Sequence, residues 1–271
     1  MSSIGRTVAV AVAVSLVAAA CAKVPFTNRK QFTIIPNKQM NQLGAQTYQE
    51  MLAELRVIRQ GEDASILQRV GERIADQANE PSYDWQFSLI DDEMVNAWCL
   101  PGGYIAFYTG ILPVLRSEAG MAFVMGHEAG HAIARHGAER MSQQLGISGA
   151  LGVISAVLSG GTSVSGQQRE TVMAALGMGA QVGVMLPFSR AHEREADTLG
   201  LMYMAGAGYP PREALPVWDR MAEVAGSGGP EFLSTHPSHA TRQDNIREWM
   251  PEAAKRYRRN ALGDGVTKPI W

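Results

Sequence analysis

His127-Glu128-Ala129-Gly130-His131 constrains this chain more than any other stretch, because two histidines four apart on a helix face the same way. At about 100° per residue they lie only about 40° apart and one turn along, so one metal ion can bridge them. Glu128 sits on the flank of that face, where its carboxylate can reach a water held by such an ion without being a ligand. The competing reading is an amphipathic helix with two surface histidines. The rest of the chain decides between the two.

An H-E-x-x-H pentapeptide on a helix is the arrangement of zinc peptidases. Such a site needs a third protein ligand and leaves the fourth position to water. Glu193-Arg194-Glu195-Ala196-Asp197 supplies one. Glu193 and Asp197 are four apart and share a helix face, while Glu195 points about 160–200° away from them. Glu193 is therefore assigned as the ligand. Asp197 becomes the carboxylate that takes the second ring N–H of a ligand histidine, most simply His127. His192 lies about 100° from Glu193 and about 140° from Asp197 on the same wheel. His136 falls roughly opposite His127. Both read as packing or hydrogen-bonding histidines. A His₂Glu set with an open position favours Zn²⁺, one per chain, over calcium or magnesium.

The 271 residues are 46% hydrophobic and carry a formal net charge of −2, which suits one sizeable domain with short appendages. That balance, with no basic stripe, gives no case for nucleic acid as a partner. Only Lys255, Arg256, Arg258 and Arg259 cluster positive charge, and they read as a solvated helix face, with anionic lipid headgroups as the alternative. At the N-terminus Arg6 precedes an apolar run, residues 8–17, that is shorter than the roughly 20 residues a membrane span needs. Ala18, Ala19 and Ala20 then lead into Cys21, resembling a bacterial lipobox in which the cysteine is lipidated. The chain has two cysteines, so a lipidated Cys21 leaves Cys99 without a disulfide partner, as a small buried side chain.

Hydrophobic periodicity predicts helices over residues 38–54 and 64–78, a strand over 85–90, and a second strand from Tyr104 to Tyr108 after the Pro101-Gly102-Gly103 turn. A sheet of two or three strands follows. One helix over 117–145, capped by Ser117, would carry the histidines. Residues 145–187 are rich in Gly, Ser, Ala and Met and read as a helical hairpin. Each arm is too short to span the roughly 30 Å hydrocarbon core comfortably, so packing on the domain is preferred and membrane contact is the alternative. Further helices are expected over 189–207, from Pro210-Pro211 to about 225, and over 241–259. The division is then a signal peptide at 1–20, a lipidated linker at 21–40, one domain at 41–259 and a tail at 260–271.

His127 to Arg140, Ser189 to Asp197, Asn96-Ala97 with Pro101-Gly102-Gly103, and Thr235-His236-Pro237 with Arg242 together resemble the CAAX-protease and HtpX-like zinc metallopeptidase family. The resemblance covers about residues 40–250. With the lipobox, it points to the periplasmic lipoprotein branch of BepA- and LoiP-like proteins, to which mitochondrial stress proteases are cousins. It implies a gluzincin fold, a mainly α (α+β) zincin-type metalloprotease domain with a small β-sheet edging the cleft. Glu128 is implied as general base and Glu193 as third ligand. His236, by spacing merely a turn residue, is implied to approach the zinc or steady the intermediate, with Arg242 supporting its loop. Substrate is expected to add as an extra strand along the chain after Gly103, with Gly102, Gly103 and Tyr104 at its edge.

Main-chain recognition predicts loose specificity and unfolded or misassembled proteins as substrates. The setting would be the periplasmic face of the outer membrane, with a lipid anchor on Cys21 and outer-membrane assembly machinery as a possible partner. Two rivals stand beside this reading. One is a zinc-containing chaperone or assembly factor whose peptidase activity is latent behind the His236 loop. The other is a structural lipoprotein with a vestigial site.

Overall fold

The computed structural model describes residues 23–31, 33–148, 188–225, 231–236 and 240–271. The signal segment with Cys21, and nearly all of the 145–187 hairpin, lie outside the described residues. In chain order come α1 (Asn37–Glu54), β1 (Val57–Ile58), α2 (Glu62–Ala78), β2 (Gln86–Ile90), β3 (Ala97–Leu100) and β4 (Tyr104–Tyr108). The short α3 (Leu112–Leu115), then α4 (Glu118–Ile133), α5 (His136–Ser148) and α6 (Arg190–Gly206) follow. Last are α7 (Ala214–Ala225), α8 (Glu231–Thr235) and α9 (Ala240–Asn260). This is the expected mainly helical α+β domain with a small open sheet. Among the described residues no helix is long and apolar enough to cross a membrane.

The sheet runs β1-β2-β4-β3, one strand wider than the widest expectation, because the two-residue β1 pairs antiparallel with β2. β2 and β4 are parallel, and β3 returns antiparallel on the far side of β4. Strands β3 and β4 are buried throughout, since both faces are covered. Trp98, Leu100, Tyr104, Ala106 and Tyr108 pack towards α1, whereas Ala97, Cys99, Ile105 and Phe107 join the main core with α2 and α4. That split is the period-2 alternation of a strand.

The order of the strands corrects one expectation. Tyr104 opens β4, whose two edges are already taken by β2 and β3, so the chain after Gly103 cannot accept another strand. Gly102 and Gly103 form the β3–β4 turn at φ 93° and 90°, and their carbonyls accept from Asp84 N–H and Gln86 N–H. The outer strands among the described residues are the two-residue β1 and the four-residue β3, and β3 is the longer edge.

The histidine helix is also interrupted. α4 starts at the Ser117 cap, whose hydroxyl accepts from Gly120 N–H, but it ends at Ile133, and Arg135 sits at φ 52° before α5 begins. The break redirects the chain, so a helical wheel drawn from His127 no longer applies at His136. At the two ends, the expected linker and tail are docked. Val24 is buried in the main core, Gln31 donates to the Ala134 carbonyl, and Trp271 Nε1–H donates to Asp63 at 2.7 Å.

α4 is apolar on nearly every side and buried along its length, and α6 crosses it very closely. Glycines permit the approach: a Cβ on Gly200 would stand 2.7 Å from the His127 nitrogen, and one on Gly126 would stand 2.9 Å from the Gly200 oxygen. Gly200→Val is expected to wedge the helices apart. It should cost roughly 1–3 kcal/mol in urea unfolding and weaken zinc uptake by about tenfold or more.

Candidate metal centre

α4 presents His127 and His131 to Glu193 on α6, and α8 ends where His236 enters from the other side. Ligand atoms of these four residues all lie within 4.8 Å of one another, and all four side chains are buried. The Nε2 atoms of His127 and His131 are 3.1 Å apart, and His131 Nε2 is 3.4 Å from Glu193 Oε1. Both imidazoles therefore turn Nε2 inward and keep Nδ1 for other partners. His236 Nδ1 lies 3.1 Å from Glu193 Oε1 and 3.3 Å from His127 Nε2. Its ring is stacked between Phe188 and Phe232.

Asp197 meets His127 as the spacing implied, Oδ1 to Nδ1 at 3.0 Å. Arg242, from α9, is fully buried with them. Its Nε and Nη2 donate to the two Asp197 oxygens at 2.6 and 2.7 Å, and its Nη1 lies 2.6 Å from Glu193 Oε2. The guanidinium also stacks 3.8 Å over the Trp218 ring. One cation thus balances two buried carboxylates, which carboxylates at this depth require. It also makes a single bidentate brace between α6 and α9.

Protonation follows from burial and neighbours. Burial holds His127 and His131 below the ordinary histidine range, His131 by far, so both are neutral, the form that binds a metal. Burial would raise Glu193, but Arg242 and His236 outweigh it and keep the carboxylate charged. Burial pushes Glu128 up to about 7, against the opposing pull of His236 and of a hydrogen bond from the Cys99 backbone. Glu128 Oε1 is buried with no hydrogen-bond partner among the described residues. Two neutral imidazoles, one carboxylate and an unpaired acidic oxygen beside them form a donor set that fits zinc.

Not every residue singled out in the sequence reaches this centre. Gly102 and Gly103 form the β3–β4 turn and Tyr104 opens the inner strand β4. The two histidines read as bystanders are closer than the wheel implied. His136 Nδ1 lies 2.9 Å from His131 Nδ1, because the break at Arg135 folds α5 back beside α4. His192 Nε2 lies 3.2 Å from Glu139 Oε2. Arg29, which no motif marks, pairs with both Glu139 and Glu195. Nothing in the sequence hints at this, since Arg29 stands beside Lys30 and lies 110 and 166 residues from its two acids.

Residues 62–250 match Peptidase family M48. The chain is 34% identical over 235 residues to the mitochondrial metalloendopeptidase OMA1 of Schizosaccharomyces pombe, covering 85% of this chain and 66% of that protein. It is 29% identical over 255 residues to the protein of the same name from Saccharomyces cerevisiae, covering 87% and 70%. A putative beta-barrel assembly-enhancing protease of Vibrio cholerae is 30% identical over 186 residues, covering 67% and 38%.

Two measurements test the electrostatics. Arg242→Met leaves two buried carboxylates without their cation and is expected to cost about 3–5 kcal/mol in denaturant unfolding. Glu139 offers a pH test: burial would raise it, but bonds from His192 and Arg29 hold it at about 2. The unfolded chain therefore binds the extra proton first as pH falls, and the stabilisation, present above about pH 4.5, is lost between there and pH 2. Glu139→Gln is expected to flatten that acid limb by about 1–2 kcal/mol, read from urea midpoints at pH 7 and 3.5.

Proposed function

The chain belongs to Peptidase family M48 and carries a metallopeptidase domain, and from that premise we propose a zinc-dependent endopeptidase that cleaves unfolded or misassembled envelope proteins. The observation that carries the reading is the convergence of His127, His131 and Glu193, with the Glu128 carboxyl beside them, one of whose oxygens has no hydrogen-bond partner among the described residues. Zinc held by these three residues supplies a Lewis acid that activates water and polarises a scissile carbonyl. Glu128 takes the proton of the attacking water as the C–O bond forms, and delivers it to the amine nitrogen as the C–N bond breaks. Asp197 fixes His127 in the tautomer that leaves Nε2 bare, and Arg242 holds Asp197 and Glu193 in place.

Substrate is read onto β3 instead of β4. Tyr108 N–H donates to the Asn96 carbonyl, so by antiparallel alternation Ala97 and Cys99 turn their backbone groups away from β4. The Cys99 backbone donates to Glu128, which supports reading that edge beside the general base. An extended peptide added there crosses the centre through main-chain bonds, and these carry no sequence preference. A small cavity lined by Met40, Tyr83, Cys99, Ala132 and Phe188, with Asn41 and Arg135 on its polar side, adjoins His131.

The envelope setting rests on the lipobox-like run into Cys21, read as a lipid anchor in the outer membrane, and is supported by the similarity to a relative named for β-barrel assembly. That name also motivates outer-membrane assembly machinery as a partner. The mitochondrial relatives share the domain without that compartment.

A second reading has a specific observation in its favour. His236 lies against Glu193 and His127, stacked on two phenylalanines, where it would be a fourth ligand for a bound metal. Structural zinc sites are closed in this way, whereas catalytic ones keep a position open. The resting protein is then latent, and acts as a zinc-containing chaperone or assembly factor until the His236 segment withdraws.

Casein degradation separates the readings. Glu128→Gln is expected to keep its zinc and lose at least about a hundredfold in rate, and full activity in that variant would sink the mechanism. Latency predicts a slow wild type and a faster His236→Ala. Equal rates would remove it.

A further inference from the structure

The two histidine ligands are braced from different directions. Asp197 holds His127, but among the described residues no carboxylate touches the Nδ1 of His131. That position is filled by His136 Nδ1 at 2.9 Å. On the other side of the same ring, His136 Nε2 lies 3.0 Å from Glu195 Oε2. A carboxylate only accepts, so His136 carries its proton on Nε2 and its Nδ1 is bare. His131 must then donate from Nδ1, which leaves its own Nε2 bare and turned towards Glu193.

The column continues outward. Glu195 Oε2 accepts from Arg29 Nε at 2.7 Å, and its Oε1 accepts from the Thr27 hydroxyl. Arg29 also makes a two-pronged pair with Glu139, at 3.0 and 2.9 Å. Glu139 in turn engages His192, whose ring stacks on His136 at 4.3 Å. His136 is fully buried and is therefore gripped at both nitrogens and on one face. Thr27 and Arg29 belong to a small strap closed by the Lys23–Lys30 bridge and anchored by buried Val24. That strap lies outside residues 62–250, the region the family match covers.

We propose that His136 and Glu195 are positioning residues for the metal ligand His131, and that Thr27 and Arg29 of the N-terminal strap hold them in register. The proposal rests on the zinc reading of the site given above. It makes metal affinity depend on a segment far from the H-E-x-x-H helix in sequence. The strap leads directly from the segment read as the membrane anchor, so its seating and the integrity of the centre are linked.

The test is zinc affinity of the full chain, measured by competition with a chromophoric chelator. The visible ligand-field spectrum of the cobalt-substituted protein is recorded alongside. His136→Phe keeps the ring and its stack but removes both bonds, and is expected to weaken zinc binding by about 10- to 100-fold and shift the cobalt bands. His136→Gln restores one acceptor and one donor and is expected to recover most of the affinity. Arg29→Met, at the partly exposed end, is expected to weaken zinc binding severalfold, and keeps the test decisive where His136→Phe does not fold. Leu67→Ala, a core change elsewhere, controls for lost stability and should leave the cobalt bands unmoved. Wild-type affinity in the His136 and Arg29 variants, with binding lost in His127→Ala, would overturn the column and leave the zinc site standing. A wild type that takes up no zinc would overturn the site itself, and the column with it.

Discussion

Everything in this molecule depends on how closely α4 and α6 cross. Their backbones meet at Gly126 and Gly200 with no room for a side chain, and only that approach sets the two histidines of one helix against Glu193 and Asp197 of the other. The crossing is made dry by an α4 that is buried on every side. Burying two carboxylates there is unfavourable unless a cation is buried with them, and Arg242 answers that need from a third helix. The fold and the site are thus one construction: the packing that excludes water is what makes the charges hold their places.

The ligand set was readable because helical geometry is local. Four-residue spacing puts His127 with His131 and Glu193 with Asp197 whatever the tertiary structure, and the long helices announced themselves by periodicity in the same way. What lay beyond local geometry was not readable. The pairing order of the sheet depends on which strand lies beside which, so the sequence points to an open edge at β4, after Gly103, whereas β4 is an inner strand and β3 an outer one. The helix break turns on Arg135, a non-glycine residue at positive φ, and a wheel carried across it makes His136 a bystander. His236 and Arg242 were available only through family resemblance, because a loop and a distant helix have no spacing relation to the centre.

The same centre has two kinds of support. The inner brace, Asp197 with Arg242, is drawn from α6 and α9 inside the family-matched region. The outer one, His136 and Glu195 with Arg29, runs to the N-terminal strap. His236 adds a third influence, since it lies among the ligands themselves and stacks between Phe188 and Phe232. A centre built this way has its polar groups assembled in advance, and on the proposed reading its activity is governed by whether substrate on the β3 edge can reach them past His236.

The most direct test of the central assignment is a crystal of the zinc-loaded protein, with anomalous data collected on both sides of the zinc edge. The account predicts one strong peak per chain, about 2.0–2.2 Å from His127 Nε2, His131 Nε2 and a Glu193 oxygen. A fully loaded protein whose peak lies elsewhere, with these three side chains unengaged, would contradict it.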